Sequence, residues 1–268
     1  MDNKTTAVAV KTNKAALPFS TWTTVIPVPS NAPAPPAVFM RKVDGRWCEC
    51  QIVDKWEYRD SDGNLNGYDV KIIQEGSKQI LPLTYCKNKS GGYAWRFLSF
   101  KSKRPLYGMD RVAKQPDAIV IIVEGCKCAR ALQTLLDSMH NTDFIVVTWP
   151  GGCASTKYAK WSLLKGRAVY IWPDNDHKLC DDKHVNAGQE KPKDEQPGYM
   201  AALSICKELD GVAPLVKIID VPGSDKPDTW DVADAIYNDK LTLDQIVALI
   251  NDRLIDPPST KQKVGHDK

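Results

Sequence analysis

Long apolar runs are missing from this 268-residue chain. No segment reaches the roughly 20 residues that a helix needs to cross a bilayer. The N-terminus lacks the compact apolar core of a secretory signal, so the expected setting is the cytoplasm, away from membranes. An excess of charge of one sign is missing too. Lys and Arg number 36 against 33 Asp and Glu, a net charge of +3, so any polyanion binding must come from local clusters of cations. Eight cysteines are present, at 48, 50, 86, 126, 128, 153, 180 and 206. None forms a Cys-x-x-Cys pair, which argues against a zinc ribbon and points to reduced, free thiols. His177, Cys180 and His184 have ligand-like spacing, but they lie in a charge-rich segment without a matching second pair. The phosphate-cradling Gly-x-x-x-x-Gly-Lys-Ser/Thr pattern is absent as well, so an ATP-driven motor would have to sit elsewhere.

What is present is an ordinary globular composition, 43% hydrophobic and 26% charged, enough for one long domain or two ordinary ones. Residues 1–36 hold six of the 18 prolines and are expected to form an extended arm. Residues 37–108 carry short aromatic and β-branched runs. Trp47 to Tyr58 and Tyr68 to Ile73 flank a turn rich in Asp, Asn and Gly, and Lys78 to Tyr85 and Ala94 to Phe100 add two more strands; this is a small β-rich unit. From 109 to 256 strands alternate with helices. Strands are expected at 118–123, 144–148, 168–172 and 215–221, and helices at 127–139, around 157–164, 198–209, 230–237 and 243–254, the last capped by Thr242. That rhythm predicts a Rossmann-like α/β domain with a parallel sheet covered on both faces. Residues 257–268 read as a flexible tail.

Two of the strands end in acid. The run Ala118–Val123 delivers Glu124-Gly125, and Ala168–Trp172 delivers Pro173-Asp174-Asn175-Asp176. The carboxyl edge of a parallel sheet is the usual place for a site. Alternate residues of an extended chain share a face, so Asp174 and Asp176 can point the same way. Three carboxylates at one edge call for neutralisation, and Mg²⁺ or Mn²⁺ suits oxygen ligands. Such ions can serve phosphoryl or nucleotidyl transfer, with Glu124 as a further ligand or as the base for a 3′-hydroxyl. Ahead of this acid stand Arg59, Lys71, Arg96, Lys101, Lys103 and Arg104, interleaved with Tyr93, Trp95, Phe97 and Phe100. Cations suit phosphates and aromatic faces suit unstacked bases. The same aromatics could equally form the core of the β-unit, with the cations as its wet face. Gly151-Gly152 lets backbone N–H groups approach a phosphate, or is a plain loop pair. Lys127, one turn from Glu124, could meet a triphosphate or balance the carboxylates.

Val123-Glu124-Gly125 and Asp174-Asn175-Asp176 resemble the two signature motifs of the TOPRIM domain. Tyr58-Arg59-Asp60 through Gly67-Tyr68-Asp69-Val70-Lys71, and Pro105-Leu106-Tyr107-Gly108, resemble stretches of bacterial-type replicative primases. Trp149-Pro150-Gly151-Gly152, Trp172 to Asp176 and Lys226 to Ala235 are similar to TOPRIM primases of phages and plasmids. The resemblance covers residues 56–238 and departs from the family at two places. Cys126 and Cys128 stand where acidic or small residues are usual, and residues 177–197 are a charged insertion, expected to be disordered or a lid.

The resemblance implies a primase core: template-directed, metal-dependent synthesis of short primers on single-stranded DNA from nucleoside triphosphates. It would act in a bacterial cell or a phage-infected host, beside a replicative helicase on another chain or region. It implies Glu124, Asp174 and Asp176 as catalytic and metal-binding residues. Nucleotide would meet Lys127, Gly151, Gly152, Lys103 and Arg104, and nucleic acid would meet Arg59, Lys71, Arg96 and Lys101. A TOPRIM nuclease and a non-catalytic replication or defence factor that binds nucleic acid or nucleotide are the alternatives. A topoisomerase is disfavoured because no domain with a plausible tyrosine setting is evident.

Overall fold

The computed structural model describes residues 22–101 and 103–258. Most of the tail expected over 257–268, and the arm before Trp22, lie outside those residues. The chain is mixed α/β. Strands β1 (Trp22–Thr24), β2 (Val38–Val43), β3 (Arg46–Arg59), β4 (Leu65–Gln74), β5 (Ser77–Asn88) and β6 (Tyr93–Arg96) form one antiparallel sheet in the order β1-β5-β4-β3-β2, with β6 also on β5. The second sheet holds β7 (Ile119–Val123), β8 (Phe144–Val147), β9 (Ala168–Trp172), β10 (Leu215–Ile219) and the short β11 (Leu254–Ile255), in the order β11-β10-β9-β7-β8. Its first four strands are parallel and β11 is antiparallel.

The parallel strands are apolar throughout because both faces are covered. Ile121 and Val123 face a core shared with α2 (Cys126–Ser138), α4 (Val232–Tyr237) and α5 (Leu243–Asp252). Val120 and Ile122 face a core shared with α1 (Met109–Lys114) and α3 (Pro197–Glu208). The expected Thr242 cap is present: its hydroxyl accepts from the Gln245 N–H in a reciprocal capping box. The helix expected around 157–164 is instead two short 3₁₀ segments, Cys153–Tyr158 and Trp161–Leu164. The break falls at Ala159 and Lys160, where Ala159 is extended and bridges to Arg104.

Two other expectations change. The described part of the arm is extended but held. β1 pairs with β5, Val25 and Val28 donate backbone hydrogen bonds to Tyr85 and Leu65, and the Trp95 indole donates to Pro33 O at 2.7 Å. The insertion is folded rather than disordered. The Gln196 side chain is buried, accepts from Lys178 N at 2.8 Å and donates to Lys191 O at 2.9 Å, closing the loop on itself. Lys178 reaches Asp228 at 2.8 Å, and Lys193 pairs with Asp220.

The two sheets share a buried seam. A bulge between Ile52 and Asp54 shifts the register of β3. Ile52 and Ile72 therefore serve the core of the β-unit, whereas Trp56 and Tyr58, further along the same strand, serve the α/β core. There the Tyr58 hydroxyl donates to Asp69 Oδ2 at 2.8 Å and lies 3.3 Å from Cys126 Sγ at the start of α2. Arg130 of α2 binds Asp54, with Nη1 at 2.9 Å, and its guanidinium lies 5.1 Å from the centre of the Trp56 ring.

Candidate functional site

In the order β8-β7-β9-β10, the chain leaves β7 by α2 toward β8, and leaves β9 by α3 toward β10 on the opposite face. The carboxyl ends of β7 and β9 are therefore the switch point of the sheet, the position favoured for ligands in open α/β folds. Glu124 follows β7, and Asp174 and Asp176 follow β9, its immediate neighbour. Their charges act on one another: Asp176 raises Glu124, and both raise Asp174.

Each carboxylate has a different local environment. Glu124 accepts the Cys153 thiol at 3.0 and 3.1 Å on its two oxygens. Burial holds its carboxyl above the usual range, the thiol lowers it and Asp176 raises it. Asp176 Oδ2 accepts the Gly198 N–H at 2.6 Å, a favourable place for an anion at the start of α3. Asp174 has no side-chain hydrogen bond or ion pair among the described residues. Burial, then Glu124, Asp231 and Asp176, push its carboxyl up to about 8. The buried Asn175 between them fixes the strand end. Its N–H donates to Trp230 O at 2.9 Å and its amide to Gly223 O at 2.9 Å.

Gly198 is required by this approach. A Cβ there would lie 2.6 Å from Asp174 O and 3.0 Å from Asp174 N. Despite the insertion, α3 returns to touch the strand it left.

Of the nucleotide-binding candidates, the Gly151-Gly152 turn is at the centre. A Cβ on Gly152 would lie 3.8 Å from Glu124 Oε1, and the Trp149 indole pins the turn by donating to Gly152 O at 2.9 Å. Arg104 donates to Pro150 O at 3.2 Å and stacks 4.9 Å over Tyr158, beside the same turn. Lys103 is exposed next to it. Lys127 pairs with Asp231 at 2.9 Å rather than with Glu124, so it balances a carboxylate.

The nucleic-acid candidates are not gathered here. Arg59 binds Glu57 and Gly63 O within its own hairpin. Lys71 stands in register with Asp54 and Ile80, Arg96 lies 4.3 Å over the Trp22 ring, and Lys101 is exposed. Trp95 and Phe100 are buried and Phe97 packs on Phe39 at 4.8 Å, so these three are core rather than base platforms. Tyr93 alone of the four is half exposed.

Asp231 and Cys153 are the neighbours missed by sequence reasoning. The signal for Asp231 was available in Asp231-Val232-Ala233-Asp234, which forms the reciprocal cap of α4. Nothing in the sequence marks Cys153 as a partner of Glu124, because the contact depends on the turn before it.

Among the described residues, no group of three or more His, Cys, Asp or Glu side chains forms a ready-made metal cage. His177, Cys180 and His184 do not converge: His177 binds Glu190 at 2.8 Å, and Cys180 is buried. All eight cysteines are free. The acidic centre nevertheless fits a hard divalent ion. Mg²⁺ is commonly held by one or two carboxylates together with water and substrate phosphates rather than by an all-protein cage. Asp174, partly buried among like charges and without a side-chain partner among the described residues, could hold such an ion, with Asp176 and Glu124 beside it.

No helix among the described residues is long and apolar enough to cross a membrane. Comparison with protein-family models, curated proteins and solved structures finds no match to this chain.

Proposed function

We propose that the chain is a TOPRIM-type primase core that joins nucleotides on a single-stranded DNA template with Mg²⁺ or Mn²⁺. The observation that carries this reading is the convergence of Glu124, Asp174 and Asp176 at the carboxyl ends of adjacent parallel strands, at the switch point of the sheet. A bound divalent ion would supply charge neutralisation for the phosphates and activation of the attacking oxygen. The chain's own groups do the rest. Asp174 and Asp176 would hold the ion, and Glu124 would accept the proton of a 3′-hydroxyl once the Cys153 thiol yields its oxygens. The Gly151-Gly152 turn and Arg104 lie beside Glu124, where phosphate oxygens would be held. The Tyr58–Asp69–Cys126 seam fixes the β-unit against the start of α2, so a template on that unit would keep its position relative to the acids. Arg59, Lys71, Arg96 and Lys101 remain the template candidates on that unit, acting through charge rather than through an aromatic platform.

Primer synthesis on single-stranded DNA with nucleoside triphosphates and Mn²⁺ tests the reading. Glu124→Ala and Asp174→Ala should each reduce product by about 100-fold or more, as loss of a charge-stabilising or proton-transfer group does. Full activity in either variant refutes it. Shortening of DNA without nucleotides would assign the same centre to a nuclease.

A further inference from the structure

A cavity of about 330 Å³ opens on the β10 side of the acidic centre, and Asp174 and Asp176 form part of its wall. The folded insertion closes one side with Glu190 and Lys193. The segment after β10 closes the other with Val221, Pro222 and Ser224, and Tyr199 of α3 and Arg253 complete it. We propose that this cavity receives the nucleoside portion of a nucleoside triphosphate whose phosphates lie at the acidic centre. This inference rests on the proposed function and names the part of the substrate that the insertion recognises.

Position is the first argument. A ligand with phosphates at Asp174 and Asp176 places its other end within reach of a cavity that shares those residues. Charge is the second. Beyond Asp174 and Asp176, the wall carries Glu190 and Asp220 with Lys193 and Arg253, Lys193 paired with Asp220 and Glu190 with His177, so it has no excess of cations. A wall without surplus cations offers little to a second polyphosphate. Its carboxylate oxygens can accept hydrogen bonds from sugar hydroxyls and from the exocyclic amines of a base. Polar groups are the third argument: the hydroxyls of Tyr199 and Ser224 make no hydrogen bond among the described residues, Lys193 Nζ lies 4.9 Å over the Tyr199 ring, and Pro222 is half-buried in the lining. Size is the fourth. The volume falls at the lower end of the roughly 300–1,000 Å³ of small-molecule sites, which suits one nucleoside and not two. The cavity is also built in advance. His177 is held by Glu190 at 2.8 Å and by Lys226 O at 3.0 Å, and Lys178 by Asp228, so the insertion wall is tied within itself and to the segment after β10.

The test is calorimetric titration of the full chain, with Mn²⁺ present, by ATP and by inorganic triphosphate, in wild type and in Ser224→Phe. Ser224 is exposed in the single turn Gly223–Asp225, so a larger side chain fills the cavity rather than the core. Wild type is expected to bind both ligands. Ser224→Phe should weaken ATP by about tenfold, the loss of a few contacts and hydrogen bonds, and triphosphate by less than about twofold. Equal affinity for ATP in both proteins overturns the cavity assignment and leaves the acidic centre standing. Binding of neither ligand by wild type overturns the reading of the centre and the cavity with it. If Ser224→Phe loses its cooperative melt, Tyr199→Phe removes a single hydroxyl and answers instead. A loss of about threefold for ATP alone supports the cavity, in keeping with one hydrogen bond, and no loss refutes it.

Discussion

Asp174→Asn should make the metal-free protein more stable, although it removes a carboxylate that the proposed reaction requires. The Asp174 carboxyl is pushed up to about 8 in the folded chain, from an ordinary 3.8 in the unfolded one. A raised carboxyl means that the folded state disfavours the charged form. The penalty is absent below pH 4, grows as pH rises and is complete above about pH 8. Each pH unit between those limits costs about 1.36 kcal/mol, giving at most about 4 kcal/mol at pH 7. Water entry and movement of neighbouring carboxylates relieve part of this, so the expected gain for Asn is about 2–4 kcal/mol at pH 7 and near zero at pH 4. The assay is chemical unfolding followed by circular dichroism, in chelator, at pH 4, 7 and 9. Mn²⁺ at about 100 times its dissociation constant should add about 2.7 kcal/mol to wild type and much less to the variant. If the variant is less stable than wild type at pH 7 in chelator, or if Mn²⁺ stabilises both equally, the account of Asp174 as an uncompensated, partly buried acid is wrong.

Tyr58→Phe removes one hydroxyl from the seam and leaves the buried Asp69 carboxylate short of a donor; unfolding experiments at pH 7 should show a loss of about 1–3 kcal/mol. Burial already holds the Asp69 carboxyl above its usual range and the Tyr58 hydroxyl lowers it, so the loss should shrink as pH falls and Asp69 is protonated. Gly198→Ala gains up to about 1 kcal/mol of helix propensity but forces a Cβ against Asp174 backbone, so a net loss of about 1–2 kcal/mol is expected in the same measurement, and an unchanged or higher stability would refute the close approach.

The α/β half was readable because its strands and helices carry their periods locally. The Ala168–Trp172 run is a strand over those same residues, and the helix expected at 127–139 lies at 126–138. That Glu124 and Asp174 lie at one edge of the sheet follows from the same local signals plus the handedness of strand–helix–strand crossovers. What was not readable depends on contacts far apart in sequence. Trp95 and Phe100 lie in cores because of where the β-unit folds against its neighbours, whereas their spacing among cations is equally that of a base-stacking surface. Lys127 chooses Asp231, 104 positions away, over the nearby Glu124. The insertion looked polar enough to be loose, yet one buried Gln196 amide and ion pairs to Asp220 and Asp228 order it.

The bulge in β3 makes a single strand belong to two cores, Ile52 to one and Trp56 with Tyr58 to the other. The two halves of the molecule are therefore not interchangeable parts. An α/β half cut away after Gly108 would carry an open apolar scar where Trp56, Tyr58 and Phe100 had been, with the Cys126 thiol at its centre. Recombination between such proteins, natural or engineered, has to move the β-unit and the acidic domain as one inheritance, or else rebuild the seam on both sides at once.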